Sequence, residues 1–299
     1  SRKLRPIILA GGVGKRLWPL STDANPKQFI PIFKDLSLFD LTLQRINHSL
    51  FKKPLVVTSE KYLKQTKEAF ERTGLKPSLI VLEPESKNTY SAIISAAILG
   101  SKDSQDERFI ALPSDHYISN NKNFYAACKR TFRGNQESLY LFGVRPEYAS
   151  SEYGYISHGE EKIIFKEKPN TKKAKEFLTQ ENIYWNCGIF IFGRNWLLNR
   201  SNEVDSNNFN RIKKSIKKGK RLGNLFYPED SYFASINSIS FDHGFVEKCE
   251  DISMIALDAG WSDLGSWVSL RESQEDPLSL YGDSVNSKIK RPWGFFQIL

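Results

Sequence analysis

Residues 11–16 read Gly-Gly-Val-Gly-Lys-Arg and follow the apolar run Ile7-Ile8-Leu9-Ala10. Gly11, Gly12 and Gly14 lack Cβ atoms, so backbone amides there can approach a phosphate chain closely. Lys15, Arg16 and Lys27 bring positive charge to the same stretch. A buried strand, a glycine loop and then cations make an anion site at the carboxyl end of a sheet. Two aspartates are placed for related chemistry. Asp115 follows Phe109-Ile110-Ala111-Leu112, and Asp263 follows a strand-like stretch that ends near Leu257. A carboxylate just past a strand's end suits Mg²⁺, a hard cation that takes one or two carboxylates together with phosphate oxygens. For Asp115 the alternative is a turn aspartate bonded to its own backbone.

The elements that must hold these residues can be read in order. Ile7 to Ala10 predicts a buried parallel strand, Leu38 to Leu50 a helix, and Leu55 to Thr58 a short strand. Glu60 to Thr73 predicts a helix closed by Gly74, Ile80 to Leu82 a strand, and Ser91 to Leu99 an apolar helix. Phe109 to Leu112, Leu139 to Val144 and Trp185 to Phe192 complete the strands that matter most. This alternation predicts an α/β fold: a doubly wound, mixed but mostly parallel sheet with right-handed crossovers. The 299 residues, 40% apolar and 26% charged, suit a soluble enzyme of one large domain or two. No apolar run approaches the about 18 residues of a membrane span, and the opening residues do not read as a signal peptide. Cys128, Cys187 and Cys249 are widely spaced without a Cys-x-x-Cys pair, which predicts reduced thiols in the cytoplasm and no structural zinc. The net charge of +9 gathers partly in Lys213, Lys214, Lys217, Lys218, Lys220 and Arg221. On a helix these cover a solvated face, and no aromatic residue interleaves them as nucleic-acid binding would need.

Two familiar glycine loops do not fit. A P-loop needs Gly-Lys-Ser/Thr where Gly14-Lys15-Arg16 stands, and a dinucleotide fingerprint needs glycine where Leu17 stands. The stretch instead resembles the GGxGxRL signature of the sugar-1-phosphate nucleotidyltransferases, with Gly11, Gly12, Gly14, Arg16, Leu17, Pro26 and Lys27 in place. The fuller Arg16-Leu17-Trp18-Pro19-Leu20 with Pro26-Lys27-Gln28-Phe29 resembles that family's bacterial mannose-1-phosphate guanylyltransferase branch. The resemblance continues in matching order through Leu82-Glu83-Pro84, Asn88-Thr89, Pro113-Ser114-Asp115-His116, Tyr153-Gly154-Tyr155-Ile156, Glu167-Lys168-Pro169, Trp185-Asn186-Cys187-Gly188 and Gly260-Trp261-Ser262-Asp263. The chain departs from the family at Glu152, Lys87, Cys187 and His243-Gly244. Cys187 is read as a small buried hydrophobe, and the Ser240-Phe241-Asp242-His243 stretch as a helix shaping the sugar side.

The resemblance implies a Rossmann-like, glycosyltransferase-A-like nucleotidyltransferase core over residues 1–275, followed by a short C-terminal connector over 276–299. Arg291-Pro292-Trp293-Gly294 is similar to the family's entry to a C-terminal extension, and a cupin-type isomerase domain carried by long relatives is not expected here. It implies transfer of GMP from GTP to α-D-mannose 1-phosphate, giving GDP-mannose and pyrophosphate. In that reading Arg16, Lys27 and Lys168 are the catalytic cations, Lys168 on the sugar phosphate. Gly11, Gly12, Gly14, Glu83, Asn88 and Thr89 contact the nucleotide; a carboxylate can accept from both N1–H and the exocyclic amine of guanine. Asn88 or Thr89 as a plain helix cap is the alternative. Gly154 lets a sugar lie against backbone, while Glu167 and Asn186 bind its hydroxyls; Asp115 and Asp263 hold the cofactor Mg²⁺. His116 is read as a scaffold residue. The expected partners are GTP and mannose 1-phosphate, with a homodimer allowed and neither nucleic acid nor membrane. The competing readings are another sugar 1-phosphate or nucleotide, and a nucleotide-sugar-binding regulatory subunit without turnover.

Overall fold

The computed structural model describes residues 2–12, 17, 20–100, 107–159 and 162–265. The expected boundary at 275 and the connector beyond it lie outside these residues. The first strand, β1 (Arg5–Ala10), sends Ile7 into one apolar cluster and Ile8 into another, on opposite faces of the sheet. A strand covered on both faces has to be apolar at every position, which is why this run does not alternate. A short turn of 3-10 helix at Lys27–Phe29 and a hairpin, β2 (Pro31–Phe33) and β3 (Leu36–Ser37), lead into α1 (Leu38–Ile46). A reciprocal capping box starts α1: Ser37 Oγ accepts from Asp40 N at 3.0 Å, and Asp40 Oδ2 accepts from Ser37 N at 2.9 Å. The helix ends before the expected Leu50, because Leu50 and Lys52 bond across to Leu4 instead.

Then come β4 (Leu55–Ser59), α2 (Leu63–Thr73) with Gly74 at φ 70° as its stop, β5 (Leu79–Glu83) and α3 (Asn88–Leu99). β6 (Arg108–Pro113), β7 (Tyr117–Ile118), α4 (Asn121–Arg130), β8 (Leu139–Val144), β9 (Tyr155–His158) and β10 (Ile163–Lys166) follow. After α5 (Thr171–Leu178) the long strand β11 (Ile183–Gly193) crosses the centre of the molecule. The remainder is α6 (Arg194–Val204), α7 (Ser206–Lys217), β12 (Lys220–Leu222), β13 (Leu225–Tyr227), α8 (Asp230–Ala234), α9 (Phe241–Gly244), β14 (Ile252–Ala256) and β15 (Trp261–Ser262).

The main sheet runs β12-β13-β5-β4-β1-β6-β11-β8-β14, with the β9–β10 hairpin joined to the start of β11. Strands β1, β4, β5, β6 and β13 are mutually parallel, and β11 enters antiparallel to β6. The sheet is therefore mixed and mostly parallel, as the alternating pattern predicts. β11 leaves its register with β8 after Asn186 and regains it at Phe190, with Gly188 between them at φ 70°. Such a bulge re-aims side chains at the mouth of a sheet. The basic run is shared between two elements: α7 ends at Lys217, and Lys220 and Arg221 lie on the fully exposed edge strand β12. Charge on that edge discourages pairing with another chain.

The aromatic side of the core is centred on Phe241, which touches the rings of Tyr90, Phe190, Phe192 and Phe245 and is 0% exposed. Phe241→Ala is expected to cost about 3–5 kcal/mol of stability. Urea unfolding of the variant measures it; a loss below about 1 kcal/mol contradicts this packing.

Candidate active site

β1 lies between β4 and β6, and the chain leaves it first toward β4 and later returns on the β6 side. That reversal opens a crevice at the carboxyl ends of β1 and β6. A cleft of about 430 Å³ occupies it, bounded by Gly11 and Gly12, Glu83, Asn88, Asp115, Gly188 and Asp242.

The glycine loop is tied down by its carbonyls. Ala10 O accepts from Thr58 Oγ1 at 2.9 Å and from Gln28 Nε2 at 3.0 Å, while Gly12 O accepts from Gln28 Nε2 at 2.9 Å. Ser114 Oγ donates to Leu9 O at 2.8 Å. With these acceptors engaged on side chains, the amides are what the loop can offer an anion. A Cβ on Gly12 would meet nothing within 4 Å, whereas one on Gly11 would stand 3.3 Å from Glu83 Oε1. Gly14 and Arg16, both expected at this site, lie outside the described residues.

Glu83 closes β5 directly beneath Gly11. It is 6% exposed, and its Oε2 has no hydrogen-bond partner among the described residues. Burial raises its pKa from 4.5 to about 8, so near neutrality this group carries a proton until donors arrive. Asn88 opens α3 with φ 66°, a left-handed conformation that Asn tolerates better than most residues, and its Oδ1 accepts from Thr89 N. Neither Asn88 nor Thr89 is the N-cap; that position is Lys87, which makes no side-chain cap. Thr89 Oγ1 instead accepts from Phe241 N at 2.8 Å and so pins α9 to the cleft wall.

Next to Asp115, Lys27 is only 3% exposed. Its ammonium donates to the Asp263 carbonyl and lies 3.6 Å from Asp115 Oδ2. The cation expected to reach phosphates thus sits under the two aspartates and joins them. Asp263 is 4% exposed, and its Oδ1 accepts from Tyr153 Oη at 2.8 Å and from Gly265 N at 3.0 Å. Among the described residues no group of three or more His, Cys, Asp or Glu side chains could hold a metal. A cation here would rest on two hard carboxylates and on substrate phosphates, a donor set that suits Mg²⁺.

The remaining polar residues gather around Asp242, which lines the cleft. Asn186 is 8% exposed and donates through Nδ2 to Asp242 Oδ1 at 2.8 Å. Glu167 follows β10; burial first, then Asp242 and Glu247, raise its pKa to about 7 against the pull of Lys168. Burial likewise raises Asp242. Lys168 has φ 33°, a strained value for a residue with a side chain, and its Nζ lies 4.0 Å from Glu167 Oε1. At Gly154 the place of the missing Cβ is taken by Glu167 Oε2, at 2.7 Å, and by the Phe165 ring, so glycine here makes room for a protein carboxylate.

Sequence reasoning gave no role to Gln28, Tyr153 or Asp242. Each was visible inside a matched motif, but its partners lie far away in sequence, and only the fold supplies them. The buried carboxyl of Glu83 generates a test. Its folded-state pKa lies above its ordinary value, so the stability of its neutral form is complete below about pH 4.5 and is lost as pH rises toward 8. Glu83→Gln is expected to lose the Glu83 share of this dependence, up to roughly 4 kcal/mol, and to keep the smaller share that Glu167 and Asp242 contribute, so its stability falls less steeply than the native chain's as pH rises. Melting curves at several pH values check this, and parallel curves for the two proteins overturn it.

Residues 5–279 match the nucleotidyl transferase family profile. The chain is 36% identical over 301 residues to the xanthan biosynthesis protein XanB of Xanthomonas campestris pv. campestris, covering 97% of this chain and 64% of that protein. It is 30% identical over 308 residues to the mannose-1-phosphate guanylyltransferase of Escherichia coli K12, with the same two coverages, 97% and 64%. The chain therefore spans 64% of the length of these relatives. The crystal structure of mannose-6-phosphate isomerase from Helicobacter pylori superposes with a TM-score of 0.77 at 26% identity, over 87% of this chain and 99% of that one. That of mannose-1-phosphate geranyltransferase from Thermus thermophilus does so with 0.75 at 25%, over 92% and 80%. The matched span takes in the glycine loop, both aspartates and every residue that lines the cleft, and this chain belongs to the nucleotidyl transferase family.

Proposed function

We propose that this chain transfers GMP from GTP to α-D-mannose 1-phosphate, releasing GDP-mannose and pyrophosphate. The observation that carries the reading is the meeting of Asp115, Asp263 and Lys27 beside a glycine loop at the sheet's switch point. Carboxylates and an ammonium around a phosphate-sized opening are what phosphoryl transfer needs, since its catalysis is positioning and charge neutralisation. The mannose-containing names of the relatives support the sugar; the buried carboxyl of Glu83, aimed at the cleft, supports the base.

In this reading an oxygen of the sugar phosphate attacks the α-phosphorus of GTP, and the bond from that phosphorus to the bridging oxygen breaks, so pyrophosphate leaves with its electron pair. No covalent enzyme intermediate is needed. Glu83 accepts from guanine N1–H and the exocyclic amine, and gives up its own proton on doing so. Asn88 and Thr89 line the same wall. Amides of Gly11, Gly12 and Gly14 receive the triphosphate, with Arg16 and Lys27 supplying charge. Lys168 takes the sugar phosphate, and Glu167 and Asn186 take sugar hydroxyls. Asp115 and Asp263 would hold Mg²⁺, which supplies neutralisation of the charge on the reacting phosphate oxygens. We place this chemistry in the cytoplasm, a setting supported by three buried, unpaired cysteines. No helix of the described residues is long and apolar enough to cross a membrane.

Two outcomes are expected from pyrophosphate-release assays. With mannose 1-phosphate, GTP should exceed ATP by roughly 10- to 100-fold, because an unmatched buried polar group costs about 1–3 kcal/mol; equal use of both nucleotides overturns the guanylyl reading. Asp115→Asn and Asp263→Asn should each lower turnover by about 100-fold, on the order of 3 kcal/mol of lost transition-state stabilisation. Activity that survives both changes, or an excess of chelator, overturns the cation role.

A further inference from the structure

Asp115 and Asp263 come from distant parts of the chain, yet each carboxylate is backed by a side chain outside the substrate walls. The segments that bear them are zipped together. β15 pairs with β7 through Trp261 opposite Ile118 and Ser262 opposite Tyr117. The pairing continues backward through Ser119 N to Gly260 O and Asn120 N to Ala259 O. Gly260 has φ 63°, and a Cβ there would fall 1.9 Å from Ser119 Oγ, so the Ser119 side chain packs directly on the Gly260 backbone. This ladder fixes how far apart the two aspartates stand. It does not by itself fix where their oxygens point.

Three aromatic side chains supply that. Tyr153 donates its hydroxyl to Asp263 Oδ1 at 2.8 Å, and its ring is clamped between Trp185 at 4.8 Å and Trp261 at 5.6 Å, centroid to centroid. With Gly265 N on the same oxygen, the torsion of the Asp263 carboxylate is set from two directions. Trp261 also donates from Nε1 to His116 Nδ1 at 3.2 Å, with the two rings edge to face at 5.4 Å. An indole N–H only donates, so Nδ1 of His116 must accept and the imidazole proton sits on Nε2. That Nε2 faces Asp115 Oδ1 at 3.7 Å. One indole therefore touches the supports of both carboxylates, packing on Tyr153 and orienting His116.

We infer that Tyr153, Trp261 and His116 are positioning residues that hold the Asp115 and Asp263 carboxylates in the orientation a shared divalent cation requires. The inference rests on the cation reading given above. Ligating groups are commonly oriented by hydrogen-bonded neighbours in this way, and loss of such a neighbour typically weakens metal binding by about 10- to 100-fold. His116 thereby gains a role beyond the scaffold. Neither Tyr153 nor Trp261 needs to touch either substrate.

The test compares native protein with Tyr153→Phe and Trp261→Phe, which keep an aromatic ring and remove the hydroxyl and the indole donor. Mn²⁺ is titrated into each protein with GTP and no sugar phosphate, its binding read by electron paramagnetic resonance against Mn²⁺ with GTP alone. Both variants are expected to bind Mn²⁺ at least about five-fold more weakly than native protein. Their half-saturating Mg²⁺ in the transfer assay should rise by the same factor, while turnover at saturating Mg²⁺ stays within about threefold. His116→Gln, which keeps a donor near the Nε2 position, should lie between native and Trp261→Phe. Lowered melting temperatures with unchanged Mn²⁺ affinity would mean that the cluster is only packing, and would overturn the inference while leaving the cation reading intact. Native protein that binds Mn²⁺ no better than GTP alone overturns both.

Discussion

A lysine ammonium buried to 3% exposure sets the terms for the rest of this molecule. An uncompensated charge in that position would be prohibitive, so its partners are obligatory rather than convenient. Lys27 finds them in the Asp115 carboxylate and in the carbonyl of Asp263, 236 positions further along the chain. The turn after the glycine loop, the end of β6 and the segment after β15 are thereby fastened at one point. Asp115 then lines the cleft, with the Lys27 ammonium held against it. Fold and chemistry meet in a single set of contacts, and neither can be altered without the other.

Elsewhere in the cleft burial acts as the regulator of charge. Glu83 and Asp242 line the cleft and Glu167 stands close to Asp242, a gathering of carboxyl groups in a chain of net charge +9. Burial raises all three, and for Glu167 neighbouring carboxylates add to it. The cleft therefore holds less negative charge near neutrality than its composition suggests. Glu167 is also the residue for which Gly154 makes room, and its backbone N donates to Glu247 Oε1 at 3.1 Å.

Much of this was legible in the sequence, for reasons that can be named. Ile7-Ile8-Leu9-Ala10 could only be a strand buried on both faces, and a carboxylate just past such a strand could only sit at the sheet's carboxyl edge. Gly74 stops its helix in the left-handed conformation that its type allows best. What stayed hidden were the consequences of long-range contact. Nothing local to residues 47–50 says that Leu50 and Lys52 will bond to Leu4 and end a helix early. Nothing local to Gly154 says that Glu167, on the far side of a hairpin, will fill the space beside it. The run from Lys213 to Arg221 looked like one helical face, but Gly219 and the pairing of β12 with β13 divide it.

The ladder between β7 and β15 has a consequence for how the protein comes into being. Strands β1, β4, β5 and β6 pair among themselves, so the sheet's centre can form from the first half of the chain. The Asp263 carboxylate arrives only with the last described residues. During synthesis, which proceeds from the N-terminus, the glycine-loop side of the cleft can form well before Gly188, Asp242 and Asp263 are made. The β7–β15 ladder, and with it the setting of Asp263 against Lys27, is therefore among the last contacts to form, through the docking of a short strand.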